Sequence, residues 1–137
     1  MRRVVDAQQT TLGRLATKVA KYLLNGDEVH VINAEKAVIS GKKQMIRNEY
    51  KEKRRIGTYR KGPFFHRSPE RIVKRSIGGM IPYQKPRGRA AYKRLRCHKG
   101  IPEELKNEKA EVFEHAKKNH VNYHTVEKIS QSLGAKY

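Results

Sequence analysis

Acidic residues are scarce in this chain of 137 residues: it has 13 Asp and Glu against 32 Lys and Arg, a formal net charge of +19. It has no tryptophan and a single cysteine, Cys97. One cysteine excludes an internal disulfide and a cysteine-rich zinc site, and it favours a reducing compartment. No apolar run is long enough for a membrane span, and none near the start resembles a signal peptide. We therefore expect a soluble intracellular protein without a membrane partner.

Sequence motifs for catalysis are also missing. Residues 6–13 follow a strand-like stretch and precede a helix, as a dinucleotide site does, but they lack Gly-x-Gly-x-x-Gly, and there is no Walker-type lysine motif. The six histidines are scattered along the chain. Cys97 and His98 are neighbours on a predicted strand, so their side chains point to opposite faces and cannot form a nucleophile–base pair. We expect no enzyme, no cofactor, no metal and no small-molecule substrate, and core packing for Cys97.

Positive charge is concentrated in residues 41–99. This stretch holds 20 Lys and Arg against three acids, which accounts for 17 of the 19 net charges, while both flanks are nearly balanced. Crowded charges of one sign repel each other and destabilise a compact state. Nucleic-acid phosphate is the commonest partner that neutralises such a surface. The alternative is a basic but unoccupied face, which the interleaved Gly, Pro and aromatic residues make less favoured.

The pattern of apolar residues predicts one α/β domain over residues 1–137. A strand near Val4 and Val5, a helix over residues 12–24 and a strand at 29–32 imply a right-handed crossover and a parallel sheet. Further strands are predicted at 37–39, from 95 to about 98, and at 121–123. Helices are predicted at about 42–54, 69–80, 85–94 and 103–119 and at the C-terminus, with Met80 on a buried face. Residues 101–137 form a C-terminal extension.

Residues 55–67 show no periodicity and are predicted to be a loop, which at this length is typically functional or disordered. Arg offers a planar fork to phosphate oxygens and Lys a compact charge. Gly57, Gly62 and Gly88 would let a phosphate backbone approach closely. Tyr59 is predicted to stack on unpaired bases, which favours structured RNA over duplex DNA. For Phe64 and Phe65, base stacking and core packing are equally favoured.

A second basic site is predicted at Gly41-Lys42-Lys43, where a helix N-terminus would add positive charge, although a turn with exposed lysines explains it equally well. The helix after Ser68 exposes Arg71, Lys74 and Arg75, and the helix after it is basic throughout. The predicted RNA-binding residues are Lys42, Lys43, Arg54, Arg55, Tyr59, Arg60, Lys61, Arg67, Lys74, Arg75, Lys85, Arg87, Arg89, Lys93 and Arg94.

Four motifs occur in a characteristic order: Leu12 to Ala16, Val31 to Lys36, Ser40 to Lys43, and Ile77 to Pro82. Over roughly residues 3–100 the chain resembles the universal large-subunit ribosomal protein thirteen family, in its archaeal and eukaryotic branch. The resemblance implies a three-layer α/β/α fold with a four-stranded, mainly parallel sheet. It also implies binding to large-subunit ribosomal RNA, with the Gly41 turn, the basic loop and the Gly78 to Pro82 turn facing the RNA.

The function expected is that of a structural constituent of the large ribosomal subunit, which binds and organises its RNA during assembly in the cytoplasm beside neighbouring ribosomal proteins. The first alternative is an RNA-modifying or RNA-processing enzyme on an α/β core, which a cluster of acids or a glycine-rich phosphate loop beside the basic face would favour. The second is a DNA-compacting protein, disfavoured by the loop aromatics and by the absence of a recognition-helix pattern.

Overall fold

The computed structural model describes residues 1–117 and 119–136. Within these residues it has five strands and five α-helices. In chain order they are β1 (Arg2–Asp6), α1 (Leu12–Leu24), β2 (Glu28–Ile32), β3 (Val38–Ser40), α2 (Lys43–Arg55), α3 (Pro69–Gly78), α4 (Pro86–Lys93), β4 (Leu95–Cys97), β5 (Tyr123–Thr125) and α5 (Val126–Ser132). Single 3₁₀ turns lie at Ala34–Lys36, Glu103–Leu105 and Glu114–Ala116.

Helix α1 forms where the sequence predicts it, because its apolar residues recur at intervals of three and four and all face the core. Those buried residues are Leu12, Leu15, Ala16, Val19, Ala20 and Leu23. The helix ends at Asn25, and Gly26 follows with φ +101°, a conformation that favours glycine. The chain can therefore reverse at once into β2, which runs parallel to β1 with Val4 opposite His30.

The central sheet has the order β1-β2-β4 and is parallel throughout, with α1 and α3 packed on one face, so the α/β class is confirmed. Its strand count differs from the expected four. After β2 the chain leaves the sheet through the left-handed residue Asn33 (φ +53°) and a 3₁₀ turn. The second edge of β2 is taken by β4. Strand β3 instead pairs antiparallel with β5 and contacts the start of α1 through one bridge, Thr11 to Val38.

The other face of the sheet is partly covered by the C-terminal extension, where the predicted helix over residues 103–119 is wrong. Two 3₁₀ turns stand there, and Glu111 runs beside β1: its N–H donates to Val4 (2.7 Å) and its carbonyl accepts from Asp6 (3.0 Å). Edge-strand pairing thus satisfies backbone groups that a helix would have satisfied internally. Val4, Ile32 and Leu105 form a small buried cluster beneath this segment.

Two smaller predictions also need correction, while the C-terminal helix is confirmed. The strand expected at 121–123 lies at Tyr123–Thr125, two residues later, where it finds its partner in β3. Met80, expected on the buried face of its helix, is 45% exposed because α3 ends at Gly78. Ile72, Val73 and Ile77 are buried as predicted.

Candidate nucleic-acid interface

The Gly41 turn introduces α2 as the sequence predicts. Gly41 has φ +127° and its N–H donates to the carbonyl of Asn122, which ties the turn to the start of β5. Lys42 precedes the helix and Lys43 begins it, and both side chains are exposed. The turn lies at the opposite end of α2 from Arg54 and Arg55, about 18 Å away along the axis at 1.5 Å per residue. The first basic site is therefore separate from the loop.

The basic loop has a free tip and an anchored end. At the tip, Thr58 and Gly62 form a small antiparallel pair, and Tyr59 is 86% exposed with Arg60 over its ring at 5.5 Å. At the anchored end, Arg54 donates to the carbonyl of Phe65 (2.6 Å). In addition, Ser130 of α5 donates to the carbonyl of Arg67 (2.5 Å). The tip is thus the part of the loop that is available to a partner.

The two loop phenylalanines, for which stacking and packing were equally favoured, have different surroundings. Phe65 packs edge-on against Tyr50, with their ring centres 6.1 Å apart, and Arg75 lies 4.1 Å from the centre of the Phe65 ring. Phe64 is 63% exposed, and its carbonyl accepts a hydrogen bond from Arg75 (3.3 Å). Phe65 therefore serves the fold, and Phe64 remains open to a stacking partner.

Several of the predicted RNA-binding arginines have partners within the protein. Arg94 donates to the carbonyl of Leu23 (2.7 Å) and Arg87 to that of Leu24 (3.1 Å), so both close the C-terminal end of α1. Arg89 donates to the carbonyls of Tyr83 and Gln84 in the turn before α4. Positive groups at a helix C-terminus stabilise it. Lys85, just before α4, and Lys93, its last residue, are exposed and have no such partner among the described residues.

Besides Arg60 and Arg75, two further positive residues of the prediction lie against neighbouring side chains, and others make no such contact. Lys74 sits 5.1 Å from the centre of the Tyr92 ring, and Arg55 pairs with Glu52 at 3.3 Å. Within the described part of the chain, no hydrogen bond, ion pair or ring contact is made by the side chains of Lys42, Lys43, Lys61, Arg67, Lys85 and Lys93. These six are the predicted residues most available to phosphate.

The glycines of this region have roles inside the protein. A Cβ on Gly88 would overlap the carbonyl of Pro82, and one on Gly57 would overlap the carbonyl of Gly62. Gly57 and Gly62 also have positive φ values of +94° and +81°. Close approach of the protein's own backbone therefore explains these glycines without an RNA phosphate.

Arg94→Met is expected to lower the free energy of unfolding by about 1 to 2 kcal/mol, because a charged hydrogen bond at the end of α1 is lost. Methionine keeps the apolar part of the side chain and removes the guanidinium. Urea denaturation measures the change. Lys93→Met is the matched control: its side chain is exposed and makes no hydrogen bond, ion pair or ring contact with a described residue, so its stability should equal that of the parent chain. Equal losses for both variants would contradict the assignment of Arg94 to the scaffold.

Three positive residues outside the predicted set lie near members of that set. Arg47 of α2 donates to Nε2 of the buried His124 (3.1 Å), and burial together with Arg47 and its positive neighbours holds the pKa of His124 below its usual range. Arg71 and Lys136 lie beside Arg67 around one cavity. Lys136 could not be predicted as a binding residue, because the charge of residues 100–137 is nearly balanced. Arg71 could have been included, because the sequence already predicted it on the exposed side of its helix.

The reactive side chains of the described residues form neither a metal site nor a nucleophile–base pair. No three His, Cys, Asp or Glu side chains among them are close enough to hold a metal ion. Cys97 packs against the core, where burial raises the pKa of its thiol to about 12. His98 lies on the opposite face and its Nε2 is 3.1 Å from Nδ1 of His30. The thiol and the imidazole are thus separated, as predicted. No helix in the described ranges is long and apolar enough to cross a membrane.

Comparisons with known proteins agree with this arrangement. The family model described as "Ribosomal protein L13" matches residues 1–104. A protein named "Large ribosomal subunit protein uL13" from Archaeoglobus fulgidus is 49% identical over 135 residues, which cover 96% of this chain and 86% of the relative. Proteins of the same name from Methanosarcina barkeri and Methanococcoides burtonii are 44% and 43% identical, over 98% of this chain and 99% of each relative.

Proposed function

Because the chain belongs to the ribosomal protein L13 family, we propose that it is a structural constituent of the large ribosomal subunit that binds and organises large-subunit ribosomal RNA in the cytoplasm. The observation that carries this proposal is the concentration of positive charge in residues 41–99, where many lysines and arginines are exposed and only three residues are acidic. Ribosomal proteins adjoining it would be its other partners.

Three groups of this segment support binding to several RNA segments at once. The first group is the Gly41 turn at one end of α2, and the second is the loop tip that follows the other end. The third consists of Lys85, just before α4, and Lys93, the last residue of α4. Exposed lysines and arginines without partners in the protein can bind phosphate at little cost in free energy, because no contact within the protein has to break. A surface of this kind fixes the relative positions of RNA helices and performs no chemistry.

The enzyme alternative has no support. It required acids or a glycine-rich phosphate loop beside the basic face, and the three acids of residues 41–99 are otherwise placed: Glu49 pairs with Lys53, Glu52 pairs with Arg55, and Glu70 is half-buried near Cys97. A general acid or base would need a free, oriented carboxyl group.

Assembly of the subunit from its parts tests the proposal. The tagged chain is added to large-subunit RNA and the remaining large-subunit proteins, and particles are separated by sedimentation. We expect the chain to sediment with the large subunit and to crosslink to its RNA through residues 42–43, 59–61 and 85–93. A chain that stays free in solution while the other components assemble would contradict the proposed function.

Amide exchange of the loop tip, residues 57–63, is expected to be fast in the free chain and slow on RNA. The tip buries little apolar surface, so nothing offsets the entropy lost on ordering until a partner binds. The amides in the middle of α2 donate within the helix and form the reference segment, which should be protected in both states. Hydrogen exchange followed by mass spectrometry measures both segments. Equal protection of the tip in the free and bound chain would show that RNA does not order it.

A further inference from the structure

A cavity of about 400 Å³ lies between the end of the basic loop, the start of α3 and the segment that follows α5. Four positive residues line it: Arg54, Arg67, Arg71 and Lys136. None of its lining residues is acidic. We call this cavity the arginine notch. Its charge is contributed by two parts of the chain that are more than sixty residues apart in sequence.

The notch is built by contacts that hold those two parts together. Ser130 of α5 donates to the carbonyl of Arg67 (2.5 Å), and the N–H of Ala135 donates to the carbonyl of Ser130 (3.1 Å). Gly134 has φ +91°, and the Nη1 atom of Arg67 lies 3.5 Å from the point where a Cβ on Gly134 would stand. The turn at Gly134 therefore places the last described residues directly against the Arg67 side chain.

Positive groups in the notch are only partly satisfied by the protein. Arg54 donates one N–H to the carbonyl of Phe65. Among the described residues, the guanidinium groups of Arg67 and Arg71 have no hydrogen-bond or ion-pair partner. The imidazole of His66 is not part of this charge at neutral pH, because burial and the charges of Arg71 and Arg75 hold its pKa below the usual range. Two unpaired guanidinium groups that line one cavity can offer several N–H donors to the oxygens of a phosphate.

We propose that the arginine notch binds one phosphate group of the RNA backbone, and that the C-terminal extension takes part in RNA binding through Lys136. This inference rests on the proposed function, since it assigns one contact within the RNA-binding surface. It gives the segment after α5 a role that its nearly neutral composition does not indicate. Ser68 and Arg71, at the N-terminal end of α3, line the same cavity. The partial positive charge of a helix N-terminus favours binding of the negative phosphate.

The test compares the full chain with single-charge variants in binding to large-subunit RNA. Arg71→Gln is expected to weaken binding about ten-fold, as the loss of one charge-assisted phosphate contact does. Arg71→Gln and Lys136→Gln should each lower the slope of log affinity against log salt by about one. Lys109→Gln is the matched control, because Lys109 is an exposed lysine of the same extension outside the notch, and it should bind like the parent chain.

Neutral methylphosphonate linkages, introduced one at a time into the RNA, identify the phosphate. We expect one linkage at which the substitution weakens binding of the parent chain and has no further effect on Arg71→Gln. Melting curves show whether each variant is folded. If Arg71→Gln is not, Lys136→Gln, which removes a charge at an exposed position of the same cavity, carries the comparison.

The outcomes separate the two proposals. If the parent chain does not bind ribosomal RNA, the proposed function itself fails. If it binds and Arg71→Gln and Lys136→Gln behave like Lys109→Gln, only the notch assignment fails. The last arm adds inorganic phosphate and follows its binding to the notch through the ring resonances of His66. If phosphate saturates the notch at low concentration but displaces no RNA, the ligand is a free ion rather than the RNA backbone, and the assignment is overturned.

Discussion

The affinity of the chain for its RNA is expected to fall about 10³ to 10⁵-fold between roughly 50 and 200 mM salt, if about six to ten phosphates are neutralised. Each phosphate that pairs with a lysine or arginine releases a condensed counterion, and added salt opposes that release. The six predicted residues with no internal contact, together with Arg71 and Lys136, are enough to supply contacts of this number. Titrations at a series of salt concentrations measure the slope.

Matched substitutions show where on the protein this effect arises. Lys61→Gln and Lys85→Gln each remove one exposed charge from residues 41–99, and Lys109→Gln and Lys128→Gln each remove one from the extension away from the notch. The first pair should reduce both affinity and slope, and the second pair should change neither. A nearly flat salt dependence of the parent chain would overturn the electrostatic argument, and equal losses in both pairs would mean that the face is wrongly located.

Gly88→Ala is expected to lower the free energy of unfolding by about 3 kcal/mol or more, the upper end of the effect of overpacking a buried position. Gly88 is buried in α4, and its missing Cβ would overlap the carbonyl of Pro82 in the preceding turn. A backbone carbonyl cannot rotate away as a side chain can, so either α4 or the turn must shift. Thermal or urea denaturation measures the loss.

Gly13→Ala is the control for Gly88→Ala, because Gly13 is also helical but no atom lies within 4 Å of its added Cβ. It should be neutral or stabilising, by up to about 1 kcal/mol, since alanine is the better helix former. Gly78→Val should fall between the two: the nearest atom to its Cβ is Cε2 of Tyr92 at 2.7 Å, in a ring that is able to move. A Gly88→Ala chain as stable as Gly13→Ala would contradict the close approach.

Elements with a strong local signal were predictable from the sequence. Helix α1 and the helix that follows Ser68 have both an apolar stripe and an end signal; α1 lies where it was predicted, and α3 begins where it was predicted and ends two residues early, at Gly78. The partners of the strands were not predictable. In β3, Ile39 pairs with His124, which is more than eighty residues away in sequence. The apolar residues Val38 and Ile39 would favour a strand equally in a parallel sheet, because strand propensity does not specify the partner strand.

The C-terminal extension was predicted poorly because its apolar residues serve distant surfaces. Leu105 closes the cluster on the far face of the sheet, and Phe113 joins the main core beside Tyr22, with their rings 6.1 Å apart. Their spacing imitates weak helical periodicity. An extended segment that lies along an edge strand has no periodicity of its own, so long-range contacts decided its conformation.

For the candidate interface, the sequence selected a region but did not indicate the state of each side chain. Charge density alone selected residues 41–99. It could not distinguish Lys93, which faces solvent, from Arg94, which caps α1, because that difference depends on the distance of each from the carbonyl of Leu23. The same limit applied to Phe64 and Phe65, since adjacent residues of an irregular loop can face in unrelated directions.

The strand order β1-β2-β4 has a consequence for how the free chain folds. About sixty residues separate β2 from β4, and they include most of residues 41–99. The sheet is therefore completed only when this long excursion closes, and closure costs chain entropy that grows with the length of the excursion. In the absence of RNA its positive charges also repel one another as it contracts. Added salt should for that reason accelerate refolding of the free chain, although it weakens RNA binding.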